Sequence, residues 1–349
     1  MTYSLRSNHQ QLSSRQPDQQ PRPIQFMLIT TILLILLTAA ALLAVLLLIA
    51  RYRKHLKKKI ERRSRETWAI GIYKGTSPIN LLPPDDIRNP ILSAKDVTDI
   101  KARFVADPFM LSNTNGYHLF FEVLNDQRNT GEIAYAFSSN GEQWQYRNIV
   151  LKERFHLSYP YVFFFENRYY MIPECNDSGG IQLYEALHFP DSWQHLATLI
   201  KSTGRSSALV DPSIIHYQSR WYLFSYAPKT KNLHLFTSKT LTGSWKEHPK
   251  SPVISNSPHY ARPAGRVILY KGTIFRYSQD EIPNYGTKVW AFRITELTEQ
   301  TYNEEAAAVE PVVQPGNEWW NKGGMHTVDP HQCASGEWMA LVDGFTINP

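Results

Sequence analysis

Three observations predict an all-β fold, a five-bladed β-propeller with an N-terminal single transmembrane helix. First, a short pattern ending in proline returns five times: Ala106-Asp107-Pro108, Ser158-Tyr159-Pro160, Val210-Asp211-Pro212, Ala261-Arg262-Pro263 and Val328-Asp329-Pro330. The central positions Asp107, Tyr159, Asp211 and Arg262 are almost evenly spaced, and the step to Asp329 is longer. A repeat period of roughly 50 with strand-like content marks a propeller in which each repeat is one blade. Second, every repeat carries a further run rich in aromatic and β-branched residues, which favours strand over helix. Third, the stretch from Phe26 to Ala50 contains only Thr30, Thr31 and Thr38 as polar side chains.

Within each repeat the elements follow in order. The second strands are Tyr117–Phe121, Arg168–Ile172, Arg220–Phe224, Gly272–Arg276 and Glu337–Leu341. Turn formers precede them: Asn115-Gly116, Glu166-Asn167, Gln218-Ser219, Lys271-Gly272 and Ser335-Gly336. Third strands are expected at Ile133–Ser138, Ile181–Ala186, Leu233–Ser238 and Lys288–Thr295, and fourth strands begin near Trp144, Trp193 and Trp245. These tryptophans read as packing between blades. The fifth repeat has room for two strands before Pro349, so the run Trp68–Tyr73 is expected to complete its blade and leave the ring without an open edge.

At about 1.5 Å per residue, Phe26–Ala50 is longer than the roughly 30 Å hydrocarbon core of a bilayer, and a tilted helix fits. A signal peptide is the competing reading, but its apolar core is only about 7–15 residues long. Nine basic residues follow the helix (Arg51, Arg53, Lys54, Lys57, Lys58, Lys59, Arg62, Arg63 and Arg65) against Arg6, Arg15 and Arg22 before it. Excess Lys and Arg stay on the cytoplasmic side, which predicts a single-pass membrane protein with a cytoplasmic propeller. The basic run also suits anionic lipid headgroups. The expected organisation is a disordered polar leader (1–25), a transmembrane helix (26–50), a basic juxtamembrane stalk (51–66) and the propeller (67–349), closed by strand 68–73.

The net charge of +6 does not describe the globular part. The segment up to Glu66 holds 12 of the 37 Lys and Arg and 3 of the 31 Asp and Glu. That leaves 25 basic against 28 acidic side chains, near −3, and argues against a nucleic-acid partner. Cys175 and Cys333 make no disulfide framework, in keeping with a reducing compartment. There is no zinc spacing, no phosphate-cradling glycine loop and no dedicated calcium loop, so neither metal nor cofactor is expected.

The chemistry rests on convergence. A propeller gathers the first strand of every blade around one axis, and proline is expected to hold the residue before it extended, aiming its side chain inward. Asp107, Asp211 and Asp329 share this setting, and Arg262 takes it in the fourth repeat. Glu122, Glu174, Asp280 and Asp343 end or follow second strands. His156 and His326 lie just ahead of first strands, and Arg276 is within the fourth repeat. Carboxylates in one funnel with cations nearby suit sugar hydroxyls, and a pair at the right separation suits glycosidic chemistry. Asp-Pro can also cap a turn at the blade mouth with no chemical role, and the histidines can be structural.

His156-Leu157-Ser158-Tyr159-Pro160, Met171-Ile172-Pro173-Glu174, Arg262-Pro263-Ala264-Gly265, Gln279-Asp280, Tyr285-Gly286 and Val342-Asp343-Gly344 together resemble the N-terminal domain of glucosamine inositolphosphorylceramide transferases, over roughly residues 67–349. More distantly the arrangement is similar to the five-bladed propellers of arabinanases, invertases and levansucrases. The resemblance implies carbohydrate-related work. In the plant transferases a glycosyltransferase module follows the propeller; this sequence ends at Pro349, so transferase activity is not carried over. The five-bladed hydrolases order their acids Asp, Asp, Glu, whereas the candidates here run Asp107, Glu174, Asp211. The expected function is binding or processing of a glycan or glycoconjugate in the central funnel, in association with the bilayer and with a glycosyltransferase or other cell-envelope enzyme. If hydrolytic, Asp107 is the base or nucleophile, Glu174 the proton donor and Asp211 an orienting or pKa-setting acid. His156, Tyr159, Arg262, Arg276, Asp280, His326 and Asp343 would contact substrate. The alternative is a non-catalytic scaffold that binds carbohydrate or protein.

Overall fold

The computed structural model describes residues 23–63, 65–202 and 208–347. Most of the expected polar leader, residues 1–22, lies outside them. The chain divides into two units, residues 1–64 and 65–349. The first holds one helix, α1 (Pro23–Arg63), which runs without a break through the apolar stretch and on into the basic one. Its segment Phe26–Lys58 is long and apolar enough to cross a membrane, and fits a single-pass membrane protein.

The second unit is a five-bladed β-propeller. The first blade is β3 (Ala102–Asn113), β4 (Gly116–Asn125), β5 (Thr130–Ser138) and β6 (Gln145–Leu151). The second is β7 (Ser158–Phe165), β8 (Arg168–Glu174), β9 (Gly180–His188) and β10 (Ser192–Lys201), and the third β11 (Val210–Tyr217), β12 (Arg220–Ala227), β13 (Asn232–Ser238) and β14 (Lys246–Glu247). In the fourth the inner strand is broken into β15 (Arg262–Pro263) and β16 (Ile268–Tyr270), followed by β17 (Thr273–Asp280), β18 (Lys288–Leu297) and β19 (Tyr302–Ala306). The fifth combines β20 (Val328–Gln332) and β21 (Trp338–Ile347) with β1 (Glu66–Ser77) and β2 (Asn80–Leu82) from the start of the propeller. Trp68 pairs with Phe345 and Tyr73 with Ala340, so the ends of the ring are held by a ladder of backbone hydrogen bonds.

The hairpins between first and second strands show why the sequence turns where it does. Glu166-Asn167 and Gln218-Ser219 take φ of 48° and 60°, and 48° and 61°. Lys271-Gly272 takes 50° and 76°. Two-residue loops with both φ positive match the twist of the strands they join. The core lies between blades. Phe109 and Phe120 of the first blade pack with Tyr161, Phe163 and Trp193 of the second and Trp221 of the third. Ile70, Ile72 and Leu341 of the fifth meet Val105, Met110 and Phe121 of the first. In three successive blades the indole N–H of Trp144, Trp193 or Trp245 donates to a carbonyl three or four residues earlier, on Gly141, Pro190 or Leu241. The repeated tryptophan therefore closes the turn before the fourth strand while its ring packs between blades.

The Asp-Pro positions differ from the expectation of extended backbone. Asp107, Tyr159 and Asp211 have φ of 53°, 46° and 51°, in the left-handed region. At each, three steps along the first strand oppose two on the second: Ala106 pairs with Glu122 and Phe109 with Phe120, Ser158 with Glu174 and Tyr161 with Ile172, Val210 with Tyr226 and Ser213 with Phe224. These are β-bulges, which bend a strand and re-aim one side chain. Arg262-Pro263 and Asp329-Pro330 pair without a register shift. The fourth and fifth patterns are thus not equivalent to the first three, and the fifth is further set apart by the longer stretch of sequence that separates it from the fourth.

Candidate functional site

The three bulges lie in the first strands of three successive blades, opposite the C-terminal parts of the second strands, and there the propeller assembles a buried acidic cluster. Asp343, from β21, is its organiser. Its Oδ1 accepts the backbone N–H of His326 at 3.2 Å, the His326 Nδ1–H at 2.8 Å and the Thr327 N–H at 2.9 Å, while its Oδ2 accepts the Asp107 N–H at 2.9 Å. Asp107 in turn accepts the Thr327 hydroxyl at 3.0 Å and the Tyr159 N–H at 3.2 Å, and its Oδ1 lies 3.3 Å from His326 Nε2. Asp343 accepts from three backbone N–H groups, and with His326 Nδ1 as its fourth donor the ring turns Nε2 toward Asp107.

Burial raises the Asp107 carboxyl to about 7; His326 opposes the shift, and Asp343 and Asp211 reinforce it. His326 is itself raised, because Asp343 and Asp107 together outweigh the burial that disfavours its charge. Glu122 is buried and stands well above its ordinary value, from burial first and then from repulsion by Asp107, Glu174, Asp343 and Asp211. Glu174 is raised by burial and Asp211, against the pull of His156, the Ser158 hydroxyl (2.6 Å) and Arg262. Carboxyl groups from four blades therefore feel one another across the axis, the condition under which some stay protonated and donate while others accept.

Cationic and imidazole side chains border the cluster. Arg262 Nε donates to Asp211 Oδ2 at 2.5 Å, its Nη1 reaches Glu281 Oε1 at 3.3 Å, and its guanidinium lies 4.7 Å from the centre of the Tyr285 ring. The partly exposed His156 accepts the Gly131 N–H on Nδ1 at 2.8 Å and presents Nε2 to Glu122 at 3.3 Å. Trp68, from the strand that closes the ring, packs against His326 with ring centroids 4.2 Å apart and the planes tilted by 42°.

Of the residues expected at the site, Asp107, Glu174, Asp211, His156, Arg262, His326 and Asp343 meet there. Tyr159 is close but spans the axis as a strut, its hydroxyl bonded to Ser213 Oγ at 2.9 Å and to the Gly265 N–H at 2.5 Å. Gly265 is required at that crossing, because a Cβ would fall 1.8 Å from the Val328 carbonyl oxygen. Arg276 does not enter the cluster: it is buried against Glu304 and the Phe292 ring on the face of the fourth blade. Asp280 turns outward from it, binding His259 Nδ1 at 3.0 Å and Trp290 Nε1 at 3.3 Å. Asp329 is also elsewhere on the axis, where Arg266 Nε (2.7 Å), His331 Nε2 (2.7 Å) and the Met110 N–H (2.6 Å) hold it, and Arg266 also reaches the Val162 and Met110 carbonyls. This network ties four blades together beyond the cluster.

Sequence reasoning placed Glu122 among the carboxylates of the funnel without giving it a role of its own, and did not single out Glu281. Glu122 had a usable signal: it follows the bulge residue Asp107 at the same separation as Glu174 follows Tyr159 and Tyr226 follows Asp211. Glu281 had none, being next in the chain to the expected Asp280. As a ligand set, Asp107, His326 and Asp343 offer three atoms within 4.8 Å of one another. Those atoms also bond to each other and to neighbouring N–H groups.

The sequence matches the family model described as glucosamine inositolphosphorylceramide transferase 1, N-terminal, over residues 61–345. It is 34% identical over 302 residues to glucosamine inositolphosphorylceramide transferase 1 of Oryza sativa subsp. japonica, and 32% identical over 301 residues to the protein of that name from Arabidopsis thaliana. The alignments cover 80% of this chain but 40% and 39% of those relatives, so the chain spans about two fifths of the length of the curated proteins it matches. Among solved structures, a candidate glycoside hydrolase from Parabacteroides distasonis superposes with a TM-score of 0.54 at 10% identity, covering 76% of this chain and 97% of that one. At that identity the likeness concerns the fold.

Proposed function

The chain belongs to the glucosamine inositolphosphorylceramide transferase N-terminal family, and from that premise we propose that its axial cluster binds a glycan or glycoconjugate as part of a membrane-tethered domain. The observation that carries this reading is the convergence of Asp107, Glu122, Glu174, Asp211 and Asp343 with Arg262 and His156 on one axis. A sugar offers hydroxyls that both donate and accept, and a site mixing protonated and ionised carboxyls with a guanidinium and an imidazole answers both. Asp107 and Asp343 form the buried floor, while Glu174, His156, Arg262 and Glu281 meet the ligand. A glycosyltransferase or another cell-envelope enzyme is the partner this reading implies. By the excess of Lys and Arg after the helix, the propeller faces the cytoplasm.

A hydrolytic reading has one observation in its favour. Asp107 stands near neutrality beside two further raised carboxyls, which suits a base and a proton donor working at the same pH. Asp107 then acts as base or nucleophile, Glu174 as donor and Asp211 as the acid that orients Arg262.

The test is binding of the full chain in nanodiscs to a printed array of defined glycans and glycolipid headgroups, beside Arg262→Ala, Asp107→Asn and Glu174→Gln. Wild type should bind at least one class, and Arg262→Ala should weaken that binding at least about tenfold, the order expected for losing a charged hydrogen bond and baring Asp211. Retained binding with loss of turnover in the two carboxamide variants supports the enzyme. Binding with no turnover in any of the proteins supports the scaffold, and a blank array rejects the carbohydrate reading.

A further inference from the structure

We propose that a second sugar subsite, built around Tyr260 and His259, extends the axial site along the rim of the fourth blade, so that the ligand is an oligosaccharide rather than a single sugar. This rests on the axial cluster binding a glycan, and deepens it. His259 and Tyr260 precede Arg262 in the connection from the third blade to the fourth. Asp280, beside them, is followed in the chain by Glu281, which reaches Arg262. The two sets of side chains are therefore continuous along one rim.

Tyr260 is 41% exposed, yet it is held in place. Its ring meets the edges of Trp290 and Phe292 at 6.2 and 5.4 Å, its N–H bonds to Ser257 Oγ at 3.1 Å, and the adjoining backbone is pinned by the Glu281 N–H to the Pro258 carbonyl at 2.8 Å. A fixed, partly exposed aromatic ring attracts the polarised C–H bonds on one face of a sugar, because the ring face is negative, and fixing it in advance lowers the cost of binding.

The histidine supplies the polar half. Its side chain is 44% exposed while Asp280, which it bonds at 3.0 Å through Nδ1, is buried. Asp280 also accepts the Ile282 N–H at 2.9 Å and the Trp290 indole N–H at 3.3 Å, so it is an acceptor throughout. That makes Nδ1 of His259 the donor and leaves Nε2, which has no hydrogen-bond partner among the described residues, as an acceptor turned to solvent. A stacking ring beside one oriented acceptor suits a sugar face and one of its hydroxyls. Asp280 acts here as a positioning residue and does not touch the ligand.

The experiment titrates the full chain in nanodiscs with the tetrasaccharide giving the strongest array signal and with its terminal monosaccharide, for wild type, Tyr260→Ala, Tyr260→Phe and Asp280→Asn. Tyr260→Ala should weaken the tetrasaccharide about three- to tenfold, the size of one aromatic contact, and leave the monosaccharide unchanged. Tyr260→Phe should keep wild-type affinity for both. Asp280→Asn should weaken the tetrasaccharide and shift the His259 ring-nitrogen resonances as the tautomer changes. Equal losses for both sugars, or no loss for either, overturn the second subsite while leaving the axial site standing. A wild-type chain that binds neither sugar removes both.

Discussion

Asp343 shows how one side chain can organise a site. By holding three N–H donors from His326 and Thr327 and one from Asp107, it locks the bulge of the first blade to the fifth. Burial there, reinforced by repulsion from Asp343 and Asp211 and opposed by His326, raises the Asp107 carboxyl to about 7, far above an exposed aspartate. Between about pH 4 and 7 the folded chain keeps a proton there that the unfolded chain releases, so this group's contribution to stability falls as the pH rises through that window. Glu122 and Glu174 are raised and act in the same direction. His326 is raised as well, and its contribution, full below its ordinary value, is lost as the pH rises through its folded one. Asp329 is opposite: Arg266 and His331 outweigh its burial and hold it low, so its contribution is lost only in stronger acid. The melting temperature should therefore be higher at pH 5.5 than at pH 8, and Asp107→Asn should reduce the difference. A melting curve flat across that range, or rising toward pH 8, contradicts the raised carboxyls.

At the scale of the element, the hairpins were legible residue by residue, because a two-residue turn with positive φ is decided by local sterics. The bulges were not. Proline after Asp107 disfavours ordinary helical backbone at that aspartate, but a bulge depends on which partner strand lies opposite, and that strand belongs to the next stretch of chain, around Glu122. Turns that place non-glycine residues at positive φ carry a conformational cost. Gln218-Ser219 is such a turn, at 48° and 61°. Replacing the pair by Asn-Gly should raise stability by about 1 kcal/mol, read as a later denaturant midpoint at unchanged slope. An earlier midpoint would mean that the Gln218 or Ser219 side chain contributes more than its backbone costs.

At the scale of the whole molecule, closure joins the two ends of the propeller sequence. β1 lies between β21 and β2 in the fifth sheet, and Trp68 from the same strand packs on His326, so the strand that completes the ring also supplies a wall of the site. The basic residues after the apolar helix set the proposed sidedness. Protease added to intact cells should leave the propeller whole, and permeabilisation should expose it; cleavage before permeabilisation would reverse the orientation.

The sequence by itself determined the elements, their fivefold repetition and the apolar helix, because each rests on short-range rules of side-chain shape, turn sterics and transfer from water. It also placed Asp107, Glu174, Asp211, Arg262 and Asp343 at the ends of strands that a propeller must gather. Only the tertiary structure decided which ionisable groups share the cavity. Asp329 went to Arg266, Arg276 to Glu304 and Asp280 to His259, while Glu122 and Glu281 joined the cluster. Rotation about one bulge, or a slip of one position along a strand, redirects a carboxylate to different neighbours, and buried charge is settled by the partner it then meets.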